Sequence, residues 1–313
     1  IAEALQNSPD MQVASARAHQ AGAAAYAANA ARMPTLDASA GVSRSRLARD
    51  QDPLGQGDAY STVRNIGASF NYNFDLWGGQ RAAWEAALGQ ARAAEVDQQA
   101  ARLTLAADVA KAYSDLGQAH IVRDLAIDDL KRTRTMLDLS RRRLNSGIDS
   151  QYQYQQTESL EASSQSQLID AEKQLQSAKI ALAVLLGKGP DRGNELARPS
   201  VLKPNAVAVP SVLPAELLGR RPDLIAARWR VEAASKNIAA GKASFYPNLN
   251  LSASAGAESL LGDAMFGSAS RFFNIAPTIS LPIFDGGRLR ANLDARDADY
   301  DLAVAQYNKT LVQ

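Results

Sequence analysis

Residues 71–87, NYNFDLWGGQRAAWEAA, contain two different periodicities on either side of Gly78 and Gly79. Residues 69–74 alternate between polar and aromatic side chains, which is the period of a β-strand. Beyond the two glycines the sequence is rich in alanine and reaches no proline before Pro190, as a long helix requires. The stretch therefore predicts a strand that leads directly into a helical rod.

The composition argues against several classes of function. The 34 Lys and Arg residues nearly balance the 33 Asp and Glu residues, so we expect no nucleic-acid partner. The absence of cysteine excludes disulfides and thiolate chemistry in these residues. No apolar stretch is long enough for a transmembrane helix. No segment has the pattern of a signal peptide, and we expect a mature or trimmed chain.

The chain contains two copies of one unit. Three pairs of matching residues recur in the same order, two of them 213 positions apart and the third 210 positions apart. The pairs are Asp10 and Asp223, Pro34 and Pro247, and Asp75 and Asp285. We therefore divide the chain into a first repeat, residues 1–212, and a second repeat, residues 213–313. In each copy a proline and an aspartate open the first helix.

Each copy predicts a helix, two strands and a long helix. In the first repeat the expected segments are strands at about 35–47 and 62–76, a helical hairpin at about 79–187 and a linker at 188–212. In the second repeat they are strands at about 247–258 and 273–285 and the start of a long helix. Because the sequence stops at residue 313, some 27 residues into that helix, we expect the second hairpin to be truncated.

The predicted strands have one apolar and one polar face. Residues 248–257, NLNLSASAGA, alternate strictly, as residues 69–74 do. The apolar side chains are Phe70, Tyr72, Phe74, Leu249 and Leu251, and the polar ones are Asn71, Asn73, Asn248 and Asn250. Such faces fit a soluble sheet packed on a protein core, or membrane strands with the apolar side toward lipid and the polar side toward a lumen.

The number of strands constrains the membrane alternative. Every backbone group in a bilayer must be paired, so spanning strands must close a barrel, and four strands cannot do so. Several chains would have to share the barrel, with eight strands from two chains or twelve from three. Pro277 and Pro282 interrupt the last strand, which places it at an edge, a bulge or a bend.

Heptad spacing predicts that the two rod helices pair. Val109, Leu116 and Leu130 lie at multiples of seven, with Leu137 and Leu144 continuing the series. Apolar residues between 168 and 185 step by three and four. The segment RLNSGIDSQY, residues 143–152, is then the tip of an antiparallel hairpin that ends at residues 187–190.

Arginines 141–143 lie just before this tip. The spacing of Asp128 with Arg132, and of Asp138 with Arg142, predicts ion pairs along the helix. The arginines therefore form either an ordinary solvated surface or a docking site for a partner.

Residues that could carry out catalysis are missing from the sequence pattern. His19 and His120 stand alone, so no metal-ligand cluster is indicated. FDLWGG and FDGG lack the spacing and the lysine of a phosphate-binding loop, and we expect Asp75 and Asp285 to bond their own turn backbone. We predict no enzymatic activity, no metal and no cofactor.

Three segments carry a resemblance to a known family. They are GRRPDLIAARWRVEAASKNIAAGKASFYPNLNLS at 219–252, LPIFDGGRLRANL at 281–293 and RLNSGIDSQYQYQQ at 143–156. Together they resemble the outer membrane factor family, the TolC-type exit ducts of tripartite efflux pumps and type I secretion systems. The likeness covers nearly the whole chain in order. It is closest to the drug-efflux branch, whose members are often lipoproteins, although no lipid-bearing cysteine is present in these residues.

The resemblance implies an architecture. The fold class is an α+β membrane protein with an internal two-fold repeat. A homotrimer would place twelve strands, four per chain, in a β-barrel surrounded by outer-membrane lipid. The long coiled-coil hairpins would form an α-barrel across the periplasm. On this basis we expect Phe70, Tyr72, Phe74, Leu249 and Leu251 to face lipid, and Asn71, Asn73, Asn248 and Asn250 to face the lumen.

The resemblance also implies partners and a function. The partners are a periplasmic adaptor protein and an inner-membrane pump, and the function is a passive exit duct for drugs or other small toxic molecules. The expected adaptor-contacting residues are Arg143, Leu144, Gly147, Ser150 and Gln153. The expected pivots between barrel and tunnel are Gly78, Gly79, Gly286 and Gly287. The alternatives are a type I protein-secretion duct and a soluble periplasmic coiled-coil scaffold.

The strand parity gives a first prediction. Leu251→Arg should impair membrane assembly by roughly 2–4 kcal/mol if this residue faces lipid near the bilayer midplane. Asn250→Arg, one position away, should be tolerated and should change the conductance. Membrane fractionation and single-channel recording measure the two effects, and equal tolerance at both positions would overturn the assignment of the faces.

Overall fold

The computed structural model describes residues 1–46, 60–200, 219–260 and 265–313. Within these ranges the order helix, strand, strand, helix occurs twice. The helices are α1 (Ala2–Asn7), α2 (Pro9–Ala30), α3 (Gly79–Asn145), α4 (Gln151–Leu185), α5 (Arg192–Glu195), α6 (Pro222–Ala243) and α7 (Arg288–Val312). The strands are β1 (Thr35–Arg46), β2 (Tyr60–Phe74), β3 (Asn248–Ser259) and β4 (Arg271–Ser280), and a 3₁₀ turn at Ser268–Ser270 precedes β4.

Some predicted boundaries need correction. The strand predicted at 62–76 is β2, which ends at Phe74 because Asp75 already belongs to the turn. The strand predicted at 273–285 is β4, which ends at Ser280, two residues before Pro282, a residue without an N–H for the ladder. The predicted linker 188–212 contains the short helix α5, and its residues 201–212 lie outside the described ranges.

The described chain divides into two compact units. Unit 1 contains residues 1–17 and 96–218, and unit 2 contains residues 18–95 and 219–313. Unit 2 takes β1 and β2 from the first predicted repeat and β3 and β4 from the second. A compact unit is therefore not the same segment of chain as a sequence repeat.

The helical hairpin of unit 1 follows the predicted heptads. Val109, Leu116 and Leu130 of α3 are buried, and so are Leu175 and Leu182 of α4. The side chain of Leu116 is only 1% exposed. The burial of these residues confirms the coiled-coil prediction. No helix in the described part of the chain is long and apolar enough to span a membrane.

Ion pairs along the hairpin agree with the prediction in one case and differ in another. Arg142 binds Asp138 at 2.6 Å, as its spacing predicted. Arg132 binds Asp129 rather than Asp128, which was the wrong partner. Asp129 faces α4, where it accepts a hydrogen bond of 2.9 Å from Ser164 Oγ. The hydrogen bond from Ser164 holds the Asp129 carboxylate between the two helices, close to Arg132.

The starts of α2 and α6 show the expected helix-start chemistry. Ser8 is almost fully buried, and its Oγ accepts a 3.3 Å hydrogen bond from the backbone N–H of Asp10. Pro222 is the first residue of α6, and the preceding Arg221 binds Asp223 at 2.7 Å. The hydrogen bond from Arg221 holds the pKa of the Asp223 carboxyl below its usual value.

A two-pronged ion pair joins α1 to the segment after α4. The Arg192 guanidinium donates hydrogen bonds of 3.1 and 3.0 Å to the two carboxylate oxygens of Glu3. This pairing lowers the pKa of the Glu3 carboxyl. The first residues of the chain are therefore fixed to the end of the hairpin.

The four strands of unit 2 form one antiparallel sheet in the order β1-β2-β3-β4. One row of the register runs from Leu36 through Phe70 and Ala253 to Ile275. Pro277 lies within β4 opposite Leu251, and β4 is at the end of the strand order. Of the edge, bulge or bend predicted for this strand, the structure has the edge.

The first turns of α3 approach α6 closely because small residues face each other. A Cβ atom on Gly89 would lie 3.1 Å from the Cβ of Ala233, and one on Gly79 would lie 2.7 Å from the Cβ of Ala243. Beside this contact, Lys236 binds Glu85 at 2.7 Å. Larger side chains at the two glycines would push the helices apart.

The end of the hairpin supplies a testable position. Gly187 has a φ of 69°, and a Cβ there would lie 2.3 Å from the carbonyl oxygen of Asn7. Gly187→Ala should therefore destabilise the protein by about 1–3 kcal/mol from backbone strain, with the collision adding to the loss. Gly189 has no atom within 4 Å of an added Cβ, so Gly189→Ala is the matched control. Thermal unfolding followed by circular dichroism compares them, and equal melting temperatures would contradict this account.

Candidate functional site

The register of the sheet places the predicted apolar residues on one face. Tyr72 lies opposite Leu251, and Phe74 lies opposite Leu249. Directly opposed residues of an antiparallel pair share a face. We call this side, which carries even-numbered residues of β1 and β2 and odd-numbered residues of β3 and β4, the apolar face.

The apolar face is open to its surroundings in the single chain. Leu36 of β1 is 74% exposed, and Phe273 and Ile279 of β4 are 83% and 72% exposed. Tyr72 and Phe74 contact each other edge to face, with ring centroids 4.7 Å apart. Large apolar side chains exposed on one face of a sheet indicate a surface that another molecule or a membrane covers.

The other side of the sheet, the polar face, carries the predicted asparagines. Asn73 lies opposite Asn250, and Asn71 lies opposite Ser252. The same face carries Asn248, since Asn248 is two positions from Asn250 along β3. The sequence-derived division of these residues between two faces therefore agrees with the register.

A pair of glycines interrupts the polar face. Gly67 and Gly256 lie opposite each other, and a Cβ on Gly256 would lie 2.3 Å from the carbonyl oxygen of Ile66. The same Cβ would lie 3.1 Å from Cε1 of Phe272. The Phe272 ring thus covers the glycine pair, and it is a large aromatic side chain on a mostly polar face.

The sheet is open at both ends of its strand order. Among the described strands, β1 pairs only with β2, and β4 pairs only with β3. All residues of β1 and nearly all residues of β4 are exposed. The outer backbone groups of two strands are therefore available for pairing with another chain.

The two junctions from strand to helix use the same device. The Asp75 carboxylate accepts hydrogen bonds of 3.0 and 2.7 Å from the backbone N–H groups of Gln80 and Arg81. Asp285 accepts bonds of 3.0 and 2.9 Å from the N–H groups of Gly287 and Leu289. The prediction that both aspartates bond their own turns is confirmed. Each carboxylate also lies at the positive end of a helix dipole.

Three of the four predicted pivot glycines have a left-handed backbone. The φ angles of Gly78, Gly286 and Gly287 are 71°, 66° and 88°, a conformation that only glycine adopts at little cost. Gly79, the first residue of α3, is instead required by its close approach to Ala243. The glycines build tight turns, and their role as pivots stays a prediction.

The hairpin tip is a well-capped turn. Ser150 and Gln153 form a reciprocal capping box at the start of α4, with the Gln153 N–H donating to Ser150 Oγ at 3.3 Å and the Ser150 N–H donating to Gln153 Oε1 at 2.8 Å. Gly147 turns the chain with a φ of 73°. Arg143 binds Asp149 at 2.9 Å, and Leu144 is half-buried. The predicted contact residues are brought together here, and their contact with an adaptor stays a prediction.

The described residues contain no group of three or more His, Cys, Asp or Glu side chains that could hold a metal. His120 is half-buried in unit 1. Burial lowers the pKa of its imidazole, and the positive charge of Arg198 adds to that effect.

Two features of the sheet escaped the sequence reasoning. One is Phe272 on the polar face. Because two phenylalanines are adjacent in the sequence, the alternation does not show which of them faces which side. The other is a group of arginines on the apolar face. Their members are Arg44, Arg46, Arg64 and Arg271. Arg44 and Arg46 are even-numbered, like Leu36 of the same strand. This shared parity could have placed them on the apolar face from the sequence.

Long helices combined with four antiparallel strands define the TolC-like fold. The chain belongs to the outer membrane efflux protein family, whose model matches residues 1–188 and 213–313. This confirms the resemblance to the TolC-type exit ducts at the level of the family. The match falls into two segments, and the break between them, residues 189–212, ends at the predicted boundary of the two repeats.

Individual relatives and solved structures agree with this assignment. The chain is 37% identical over 306 residues to the fusaric acid resistance protein FusA of Burkholderia cepacia, covering 95% of this chain and 57% of FusA. It is 32% identical over 327 residues to the putative multidrug resistance outer membrane protein MdtQ of Escherichia coli K12, covering 100% of this chain and 67% of MdtQ. The chain therefore spans little more than half the length of FusA.

The same fold is present in the crystal structure of the outer membrane protein VceC from Vibrio cholerae. The TM-score is 0.87 at 35% sequence identity, and the match covers 99% of this chain and 74% of VceC.

The capping box at the tip gives a local prediction. Ser150→Ala removes the acceptor for the Gln153 N–H and should destabilise the start of α4 by about 1 kcal/mol. Amide hydrogen exchange in the first turn of α4 should therefore become roughly fivefold faster. Ser163→Ala, an exposed serine further along α4, is the control. If both variants exchange like the unmodified protein, the box does not hold the tip.

Proposed function

We propose that the complete protein is the outer-membrane exit duct of a tripartite efflux system. It would conduct drugs or other small toxic molecules passively from an inner-membrane pump and a periplasmic adaptor to the outside. One observation carries the proposal, namely an open four-stranded sheet with an exposed apolar face and two unpaired edges in a member of this family. The duct has no catalytic step and needs no metal or cofactor.

The unpaired edges favour a ring of identical copies, and the ring that we propose is a homotrimer. In a bilayer, the outer N–H and C=O groups of β1 and β4 must find partners. Because the chain supplies an even number of alternating strands, β4 of one copy and β1 of the next are antiparallel, and identical copies can close the ring. Three copies give twelve strands, while a single sheet of four strands cannot enclose a pore.

The height of the apolar face fits an outer membrane. Large or small apolar residues occupy this face of β2 from Ile66 to Phe74, which is about 27 Å of extended strand. A tilt of about 40° reduces this to roughly 20 Å, close to the apolar band of about 25 Å in membrane barrels.

Aromatic residues mark both ends of this band. Tyr60 lies at the start of β2 and is 64% exposed. At the other end, the Trp77 ring stacks on Tyr246 with centroids 4.7 Å apart, and Trp77 Nε1 donates a 2.8 Å hydrogen bond to the carbonyl of Pro247. Amphipathic rings of this kind form the girdles of membrane barrels.

The facing of the strands follows from the same proposal. Phe70, Tyr72, Phe74, Leu249 and Leu251 face lipid, and the asparagines at 71, 73, 248 and 250 face the lumen. The lumen surface of the described strands is polar and carries Asp37 and Glu258 as its acidic residues. Such a wet surface selects solutes weakly, so cargo choice would rest with the pump.

The helical hairpin supplies the periplasmic part of the duct. Its tip, with Arg143, Leu144, Gly147, Ser150 and Gln153, would meet the adaptor. The capped, left-handed turn at Gly147 gives this surface a defined shape, which favours docking over a merely solvated loop.

The nature of the relatives favours small-molecule cargo over protein cargo. FusA is named for resistance to fusaric acid, and MdtQ is named for multidrug resistance. We therefore place the protein in the drug-efflux branch, whose lipid anchor is part of this proposal. Mass spectrometry of the mature full-length chain would detect an acylated cysteine.

Planar bilayers test the proposed duct. The full-length protein should conduct ions without an energy source after loosening of its closed gate, and should restore drug resistance to a strain lacking its own duct only when adaptor and pump are present. Recovery of the protein wholly in the soluble periplasmic fraction, with no conductance, would favour a coiled-coil scaffold and contradict the proposal.

A further inference from the structure

The apolar face of the sheet changes character at one end. Arg44 and Arg46 of β1 lie opposite Thr62 and Tyr60 of β2. Both arginines share the parity of Leu36, which lies on the apolar face. The end in question is the one farthest along the strands from the junctions at Asp75 and Asp285.

Two more arginines lie on the same face and at the same end. Arg64 of β2 lies opposite Val42 and Ser259. Arg271, the first residue of β4, lies opposite Ala257. Arg64 is diagonal to Arg44, a spacing of about 7–8 Å between Cα atoms. We call Arg44, Arg46, Arg64 and Arg271 the arginine belt.

The belt is a surface of one sign among the described strands. The acidic residues of these strands are Asp37 and Glu258, and both lie on the polar face. The Arg44 guanidinium lies 4.8 Å from the centre of the Tyr60 ring, a cation–π contact. The residues that follow on this face toward the helices, including Ile66, Ala68 and Phe70, are uncharged.

The position of the belt would place it at the level of the lipid headgroups. An arginine on the lipid side of a barrel is costly at the bilayer midplane but nearly neutral at the interface. The belt begins where the apolar band ends, and Tyr60 lies beside it as an interfacial aromatic residue would. If the helices point into the periplasm, this end reaches the outer leaflet. The inference rests on the proposed function for that orientation.

We propose that the arginine belt binds the phosphorylated headgroups of lipids in the outer leaflet. Guanidinium groups match phosphate oxygens with paired hydrogen bonds, and the belt offers several of them above an apolar surface for the acyl chains. Three copies would carry the belt around the whole barrel. The bound lipid would fix the height of the duct in the membrane.

Lipid retention by the full-length protein tests the belt. The protein and its variants are reconstituted in phosphatidylcholine vesicles containing diphosphorylated lipid A, extracted in mild detergent and weighed by native mass spectrometry. The test variant is Arg44→Gln, Arg64→Gln and Arg271→Gln combined. The control is Arg17→Gln, Arg102→Gln and Arg290→Gln combined, which removes equal charge from exposed helix positions.

The unmodified protein and the control should retain lipid A in a salt-sensitive manner, and neither should retain dephosphorylated lipid A. Lipid A retention by the test variant should fall by more than about tenfold, since each arginine near a charged membrane surface raises the binding affinity about fivefold. Arg→Lys at the same three positions should recover part of the retention, since lysine keeps the charge but not the paired geometry. Single Arg→Gln changes, which disturb assembly less, should each lower retention.

Membrane fractionation and native gels separate this proposal from the proposed duct. Trimers that insert normally and retain lipid A equally with and without the three arginines would overturn the lipid site and leave the duct intact. No loss of retention in any single variant would have the same meaning. A full-length protein that never enters the membrane would overturn both.

Discussion

The backbone hydrogen bonds at the two free edges of the sheet are the constraint on which the account depends. β1 and β4 each have one neighbour among the described strands, and an unpaired edge inside a bilayer costs several kcal/mol for each orphaned group. A soluble protein would cover such edges or the apolar face beside them, yet Leu36, Phe273 and Ile279 are largely exposed. In the proposed duct, copies of the same chain would pair with these edges and lipid would cover the apolar side chains. The proposed oligomeric state and the outer-membrane location therefore rest on the same requirement.

The junctions connect the strands of the sheet to the long helices of the proposed duct. A strand that leads into a helix must leave the sheet within a few residues, and the left-handed Gly78 and Gly286 make the turn while Asp75 and Asp285 satisfy the first helical N–H groups. The helix then packs against its neighbour through small residues such as Gly89 and Ala233. Both junctions thus combine an aspartate cap with a left-handed glycine, although Asp75 caps Gln80 and Arg81 whereas Asp285 caps Gly287 and Leu289.

Much of this architecture was readable from the sequence because its signals are periodic. The strict alternation in residues 248–257 predicted the two faces of the sheet, and the register agrees. The heptads around Leu116 predicted the buried seam of the hairpin, and the burial agrees. Signals that depend on tertiary contact were missed. Arg132 binds Asp129 because Ser164 of the facing helix fixes that carboxylate, and Phe272 covers a glycine pair formed by two other strands. The spacing of residues along the chain predicts neither of these tertiary contacts.

Cysteine cross-linking across the edges tests the central claim most directly, since residues 1–313 contain no cysteine. Ser39→Cys in β1 is combined in turn with Asn274→Cys, Ala276→Cys or Thr278→Cys in β4, all on the polar face. Mild oxidation of the membrane-assembled full-length protein should join copies into dimers and trimers for at least one pair. Ser39→Cys with Ile275→Cys, whose side chains lie on opposite faces, should not cross-link. Folded, membrane-bound monomers without cross-links in every pair would contradict the account.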